Sequence, residues 1–558
     1  MYIVPNSTVY ILSGISINKN YQHTIYFDDV GAQFSYFYRH VKKKFTGVSY
    51  QREKRGWMLV ECPADELYNC NYLMYQNTAY NNKWFYAFID SVKFVNNITC
   101  EVTFTLDVMQ TWFFDYTLQA CFVDREHSAT DNYFEHTIPE NLGFGELIIA
   151  EKQFENSPWF KADGIVFSAS EAPPSIDGTP KVQTKAYGVP CNMYIRCSAF
   201  NWLNPDVASI NSLGVLNDLQ SYIDAGKYDA IQSVFFIPRF MCADSVDAGA
   251  FNGAQPPESV VTFTFTATLN LGSLGGYIPR NKKLYCYPYN RLRVSNSSGQ
   301  AVDYRFEDWN KNEDGSPGVP KFIAYGASFN NPQVVIVPTD YKNSPEYFDE
   351  SLTISGYPPM PFLGDMLTAY LALNSNTLNY QKTVPVYNFA RSLVNTAANI
   401  GGSALAGDVT GVFKAGLGAA ASGINALIDY GQIHEEQMAK QRDMAEIPDT
   451  VHNLSNTTSV ALAANKLRPI LYQMCCKPEY FKTLDGYFDR WGYKCNEVKI
   501  PNRNVRPHWT YTKTNACTIN ANCPGDDEDM ICKIYDNGIT FWRNGDEVGD
   551  YTLDNSPT

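Results

Sequence analysis

The sequence predicts a mainly β protein carrying an α+β insert, and three observations lead there. Tyrosine contributes 38 residues and aromatics make up 14% of the chain, a bias that favours strands. Strict two-residue alternation marks Glu101–Val108 and again Val261–Leu271, the period of a strand with one buried face. Between these stretches lie Pro173-Pro174, Pro256-Pro257 and a run at helical spacing, so a segment of mixed character interrupts the strands.

In chain order, residues 1–150 read as strands. Trp84–Val95 puts Phe85, Ala87 and Ile89 on one face, and Val95-Asn96-Asn97 opens a turn. In Glu101–Val108 the apolar set Val102, Phe104, Leu106 and Val108 alternates with Thr103, Thr105 and Asp107. The two stretches predict an antiparallel hairpin. Residues 151–330 form the α+β insert. There Val207, Ile210, Leu213, Leu216, Leu219 and Ile223 recur at helical spacing within Asp206–Ala225, weakened by Gly214, and Lys227–Phe236 suggests a shorter helix. In Val261–Leu271 four threonines and Asn270 oppose Val261, Phe263, Phe265, Ala267, Leu269 and Leu271. Such a threonine face paves either an outer surface or a lumen.

Asn310–Gly318 is a loop by composition. Residues 331–383 bring the strand Val334–Val337 and an amphipathic helix near Asp365–Leu373. An apolar segment dominates 384–448 and ends in a polar helix, Asp429–Glu446, with Glu436 and Lys440 at i,i+4. Pro448 stops that helix, and strands are expected to resume through 449–558.

At 558 residues the chain exceeds what one core serves. Its charge of −14, from 58 acids against 44 bases, argues against a protein that grips nucleic acid by its phosphates. A passage for DNA stays open, because a wall along which a polyanion slides must not hold it. The start, MYIVPNSTVYILSGISI, lacks the basic and apolar regions of a signal peptide. Fourteen scattered cysteines then read as reduced, mostly buried thiols. Neither Cys475–Cys476 nor the trio Cys517, Cys523, Cys532 has C-x2-C spacing, so no metal and no cofactor is expected.

Catalytic motifs are missing as well. After His434-Glu435-Glu436 come Gln437 and Met438, with no second histidine where a zinc protease needs one. There is no G-x-S-x-G and no Walker loop. Asn310, Asn312, Asp314 and Gly315 imitate a calcium loop, but its bidentate position falls on Lys321. Asp526-Asp527-Glu528-Asp529 reads as a solvated turn. No catalytic residue is therefore assigned; a glycosidase carboxylate pair leaves no sequence signature, and that class stays open.

The apolar segment is the most unusual feature. Val386–Ile428 carries Arg391, Asp408 and Lys414 as its charges, and Thr396–Ile428 holds seven glycines and nine alanines. Gly401, Gly402 and Gly407 divide it into two arms of about twenty residues, each long enough as a helix to span ~30 Å. Val409, Val412, Phe413, Leu417, Ile424, Leu427 and Ile428 supply the apolar face of the second arm; Ile400 and Leu405 end the first. Gly407, Gly411, Ala415, Ala419 and Gly423 repeat every four residues, a small-residue face that lets helices approach closely. Asp408 and Lys414 would each cost about 2.5–3.5 kcal/mol at mid-bilayer, which disfavours a permanent anchor. Two readings follow: conditional insertion by several copies packed together, or a helical hairpin packed inside the protein.

Six strings in order carry a resemblance: KWFYAFI (Lys83–Ile89), LDVMQTWFFD (Leu106–Asp115), FVDREH (Phe122–His127), LTAYLALNSNTLNYQ (Leu367–Gln381), GYKCNEVKIPN (Gly492–Asn502) and YDNGITFW (Tyr535–Trp542). The Gly/Ala-rich segment falls between the fourth string and AEIP (Ala445–Pro448). The chain resembles, end to end and most weakly over 150–330, the tail knob or distal tail tube proteins of small protein-primed short-tailed phages (Salasmaviridae-like podoviruses of Gram-positive hosts).

The resemblance implies a homo-hexameric tail-tube β-barrel at the distal end of the virion tail, assembled in the host cytoplasm beside collar and tip proteins. Double-stranded DNA would pass through it without sequence-specific binding. Residues 1–150 and 331–383 would build the tube, and 449–558 its distal part. The long Gly/Ala-rich loop would plug the lumen, then enter the host membrane as a pore, with Ile400, Leu405, Val409, Val412, Phe413, Leu417, Ile424, Leu427 and Ile428 inserting. Gly401, Gly402, Gly407, Gly411, Ala415, Ala419 and Gly423 would hinge and pack it. The contrasting expectation is a tail-associated adhesin or cell-wall glycan hydrolase, with 151–330 as its binding module.

Overall fold

A computed structural model describes residues 6–48, 56–78, 81–154, 157–162, 164–174, 185–191, 193–199, 218–219, 221–222, 224–225, 227, 230–242, 257–296, 299–327, 332–358 and 467–557. They fall into two compact units. Unit 1 comprises Met1–Ile148, Leu271–Asn290 and Cys475–Thr558; unit 2 comprises Ile149–Asn270 and Arg291–Met474. The expected helices near Asp365–Leu373 and over Asp429–Glu446 lie outside the described residues, as does most of the one expected over Asp206–Ala225.

Unit 1 holds a six-stranded sheet in the order β3-β1-β5-β6-β7-β4. Its strands are β1 (Ser7–Leu12), β3 (Val41–Val48), β4 (Trp57–Val60), β5 (Tyr72–Asn77), β6 (Trp84–Asn96) and β7 (Thr99–Leu106). Side chains alternate between faces along a strand, and here both faces are buried. Tyr72 and Met74 of β5, with Tyr86 and Phe88 of β6, enter one core. Leu73, Tyr75 and Ala87, with Val9 and Ile11 of β1, enter another. The end strands β3 and β4 also touch each other, so the sheet curls into a half-barrel around the second core. The predicted hairpin is present: β6 pairs antiparallel with β7, Val92 opposite Val102 and Phe94 opposite Cys100.

The first core is closed by helices that strand-rich composition concealed. α1 (Val30–Arg39) begins where Asp29 Oδ1 accepts from Ala32 N–H at 2.8 Å, a side-chain cap. Its Phe37 stacks on Tyr72 at 5.1 Å. A short turn, α2 (Val108–Thr111), follows β7 and is capped by Asp107.

The second unit 1 sheet runs β2-β27-β25-β9-β24, from β2 (His23–Ile25), β9 (Cys121–Glu126), β24 (Tyr493–Lys499), β25 (Trp509–Asn515) and β27 (Ile539–Trp542). β8 (Tyr116–Leu118) pairs with β26 (Ile519–Ala521). Two further helices correct the expectation of strands alone in 449–558: α3 (Pro478–Trp491) and α4 (Gly525–Asn537). In α3, Pro478 sits in the first turn and Phe481, Leu484, Asp485 and Phe488 are buried, one face of a helix. The acidic run Asp526–Asp529 is not a bare turn but the start of α4, where the helix dipole favours carboxylates.

Unit 2 contains a sheet ordered β10-β23-β17-β18, from β10 (Leu147–Phe154), β17 (Asn290–Ser295), β18 (Ala301–Tyr304) and β23 (Ile470–Cys476). A three-stranded sheet places β11 (Gly164–Ala169) between β14 (Tyr194–Ala199) and β15 (Ile231–Ile237), and β12 (Lys185–Ala186) pairs with β13 (Val189–Pro190). β15 corrects the helix expected over Lys227–Phe236. Ile231, Val234 and Ile237 are buried there, and Ser233 Oγ lies 2.6 Å from Ser168 Oγ of β11, a cross-strand fit that β-branched and aromatic residues favour. The remaining sheet joins β16 (Val261–Thr266), β19 (Lys321–Ala327), β20 (Gln333–Tyr341) and β21 (Ser344–Glu346), with β22 (Leu352–Ile354) on β20. On β16, Val261 and Phe265 are buried while Thr262, Thr264 and Thr266 are exposed. Asn310–Gly315 is an exposed turn, closed by Gly315 N–H donating to Asn312 O.

Candidate functional site

Every residue assigned to the plug and its hinges lies outside the described residues: Ile400, Leu405, Val409, Val412, Phe413, Leu417, Ile424, Leu427 and Ile428, and Gly401, Gly402, Gly407, Gly411, Ala415, Ala419 and Gly423. Among the described residues no helix is long and apolar enough to cross a membrane. What can be built from side chains upward is the scaffold, namely the half-barrel, its projecting hairpin, and the polar junction that ties unit 1 together.

The half-barrel owes its curl to the bulges in its ladders. Register shifts interrupt β1 against β3 near Ile11, and β6 against β7 near Ile89 and Phe94; bulges of this kind increase twist and bend strands. β5 pairs with β6 as far as Tyr72 opposite Phe88. Beyond that point β6 pairs with β7 alone, while β4 lines the other side of β7 as far as Val60 opposite Cys100; the turn that follows exposes Phe94, Val95 and Ile98, at 61%, 47% and 63%. The opposite end of the sheet is basic: Lys42, Lys43 and Lys44 follow one another on edge strand β3. Lysines on an edge discourage unplanned strand pairing.

Under the sheet, Asp107 is fully buried. Its carboxylate caps α2 through Gln110 N–H and accepts the Tyr72 hydroxyl at 2.7 Å. Burial pushes this carboxyl up to about 6, against the pull of those hydrogen bonds.

Unit 1 is assembled from three stretches of chain, and one carboxylate links two of them. Asp485 of α3 accepts from Tyr277 Oη at 2.7 Å and from the backbone N–H groups of Arg280 and Asn281, each at 3.0 Å. The Asn281 side chain donates to Asp485 and Asp489 and accepts from Tyr493 Oη. The first stretch joins through Asp131, which accepts Lys282 N–H at 2.9 Å, and through His127. Tyr511 N–H donates to His127 Nδ1 at 2.8 Å, so the opposite nitrogen, Nε2, carries the proton toward Asp489 O at 3.0 Å. Burial, helped by the Arg506 and Arg125 charges, lowers His127 to about 3. These groups spend their hydrogen bonds on cross-linking the chain, which is a structural task. The cysteines are thiols, most of them buried, and no disulfide joins described residues.

Residues 5–117, the stretch that contains the half-barrel, match the N-terminus of the caudoviral major tail protein. Residues 259–556, more than half the chain, match the family described as the Bacillus phage phi29 tail knob protein gp9, C-terminal domain. The chain belongs to the tail knob protein gp9 family. Its similarity to curated tail knob proteins runs over the whole length: 27% identity to that of Bacillus phage B103, covering 98% of each chain, and 26% to that of Bacillus phage phi29, covering 100% of each. The fold is also that of the bacteriophage C1 tail knob protein gp12, with a TM-score of 0.60 at 12% identity over 99% of both chains. As a tail knob family member the chain is a structural component of the phage tail, working among other tail proteins.

Five of the six strings that carried the resemblance fall on described elements. KWFYAFI runs into β6, LDVMQTWFFD spans the end of β7, α2 and the residues after it, FVDREH covers most of β9 and His127, GYKCNEVKIPN covers β24 and its flanks, and YDNGITFW spans the end of α4 and β27. Sequence reasoning missed the exposed tip, Phe94, Val95 and Ile98. The signal was present, since three large apolar residues flanking Asn96-Asn97 leave a turn with no polar cover. It also missed Asp485 and Asn281, whose roles depend on pairing across 204 positions.

Proposed function

We propose that six copies of this chain close into a tube at the distal end of the tail, and that the genome leaves through it. The observation that carries the reading is the half-barrel. The curled sheet leaves β3 and β4 in contact but without a ladder between them, and such strand edges gain pairing partners when copies are arranged around one axis. Its location within the stretch matched to a major tail protein supports that use. A closed point group puts six copies of residues 386–428 on the same axis. There they bury one another's apolar faces, plug the lumen and hold the channel shut.

On reaching the host, the segment leaves the tube and enters the membrane, lipid replacing the tube wall as its apolar surroundings. The net charge of −14 and the exposed threonines of β16 suit walls that do not bind phosphates. Assembly takes place in the host cytoplasm, with collar and tip proteins as neighbours in the virion. Deleting residues 390–428 tests the loop directly. The truncated protein is expected to form the same rings yet release no dye from liposomes; dye release equal to that of the full chain would refute the pore.

A further inference from the structure

Three thiols meet beside the first core of unit 1. The Cys517 thiol is hydrogen-bonded to those of both Cys121 and Cys532, and Cys517 and Cys532 pack against that core. The three come from separate elements: Cys121 opens β9, Cys517 follows β25, and Cys532 lies within α4. Strand pairing and helix period bring them together. β25 runs beside β9 as far as Asn515 opposite Phe122, and Gln119 N–H donates to Thr518 O at 2.9 Å, so Cys517 passes alongside Cys121. Asp536 of α4 accepts from Cys517 N–H at 3.0 Å and from Thr514 Oγ1 at 2.8 Å. Cys532 precedes Asp536 by four residues, one helical turn on the same face. The face that holds the Cys517 backbone therefore also presents a thiol to its side chain.

Access separates the three. Cys121 is buried, whereas Cys517 and Cys532 are each partly exposed. Cys523 is partly exposed too and lies between them in the chain, but its thiol stands among the charges of Glu528, Asp527, Lys83 and Asp115. Ease of ionisation orders the pair. Burial pushes the Cys532 thiol up, and the hydrogen bond from Cys517 draws it partly back. Cys517 is pushed up by burial and further by Cys532 and Cys121. Cys532 is the sulfur that ionises first, and the thiolate is the form that attacks.

We propose that Cys517 and Cys532 form a disulfide once the tail is in an oxidising medium outside the cell, with a small-molecule disulfide as the oxidant. The Cys532 thiolate attacks the oxidant, forms a mixed disulfide and releases one small thiolate. Cys517 then gives up its proton, attacks Cys532 Sγ and expels the second. Two protein thiols are oxidised, the small disulfide is reduced, and the two thiol protons end on the two released thiols. The bond ties α4 to the end of β25 and closes a loop that holds β26, which restricts the unfolded chain and favours the folded unit. Cys121, out of reach of the oxidant, stays a thiol.

Oxidation of the purified full-length chain tests this. The reduced protein is incubated with oxidised glutathione, the remaining thiols are alkylated in denaturant, and digestion with trypsin and an Asp-specific protease cuts between Cys523 and Cys532. The expected result is a peptide pair joined through Cys517 and Cys532, with Cys121 and Cys523 alkylated. The oxidised chain should also denature about 5 °C above the reduced one. Cys532→Ser is expected to lose the link and the rise in Tm together, and Cys523→Ser to keep both. Recovery of Cys517 and Cys532 as alkylated thiols, or of either joined to another cysteine, overturns the pairing. A link that leaves Tm unchanged overturns its role as a staple.

Discussion

Gly492 ends α3 with a φ of +63°, and a Cβ there would meet the backbone oxygen of Glu126 at 2.2 Å. No L side chain adopts this conformation without strain, and the obstacle is backbone that cannot swing aside. Gly492→Ala is expected to cost at least about 1–3 kcal/mol, read as a lower denaturation midpoint with an unchanged slope. Asp107 makes a second residue-scale test. Its buried carboxyl is raised to about 6, so the fold favours the protonated form. That contribution is complete below about pH 4, the ordinary range of an exposed aspartate, and is lost as pH rises through 6. Asp107→Asn keeps an oxygen for the α2 cap and removes the titration. The variant should show a flatter stability profile between pH 4 and pH 6 and a gain relative to the parent at pH 7; an unchanged profile would place the titration elsewhere. Neither residue was legible beforehand. The sequence marks Gly492 as a glycine after a helical stretch but not the carbonyl it faces, and it shows Asp107 as the polar partner in an alternation, with no sign that both sheet faces are buried.

At the scale of elements, what the chain declares locally was legible, and what depends on distant partners was not. The β6–β7 hairpin follows from period two and stands; the alternation expected over Val261–Leu271 holds as a strand only over β16, and the apolar run Val334–Val337 lies within β20. The helices α1 and α3 were hidden because their aromatic residues raise strand propensity, and α4 because its acidic start reads as a turn, whereas burial of one helical face decides the outcome. Pro478 ahead of Phe481, Leu484 and Phe488, and Gly492 after them, spelled out a helix start, face and stop. β15 failed in the opposite sense: its apolar residues fit a short helix, and pairing with β11 overrode that spacing. Ile531, fully buried on α4 in the first core, measures how much that helix contributes. Ile531→Ala is expected to lower stability by about 2–5 kcal/mol; a change under half a kcal/mol would mean that α4 is not part of the core.

For the whole molecule, the division of labour is between a described scaffold and a segment whose composition sets it apart. The scaffold spends its polar groups on holding three stretches of chain together, through Asp485, Asn281, Asp131 and His127. Family membership was legible from six ordered strings, five of which fall on described strands, helix ends and turns. The mixed character of 151–330 was read from loop signals and apolar spacing, which locate breaks without saying which strands will pair across them. In the proposed tube, six chains enclose the Gly/Ala-rich segment on their common axis. Electron cryo-microscopy of the purified full-length chain tests it most directly. A sixfold ring whose channel is filled by density continuous with residues 386–428 is the predicted image; a ring with an empty channel, or a population of single chains, would contradict it.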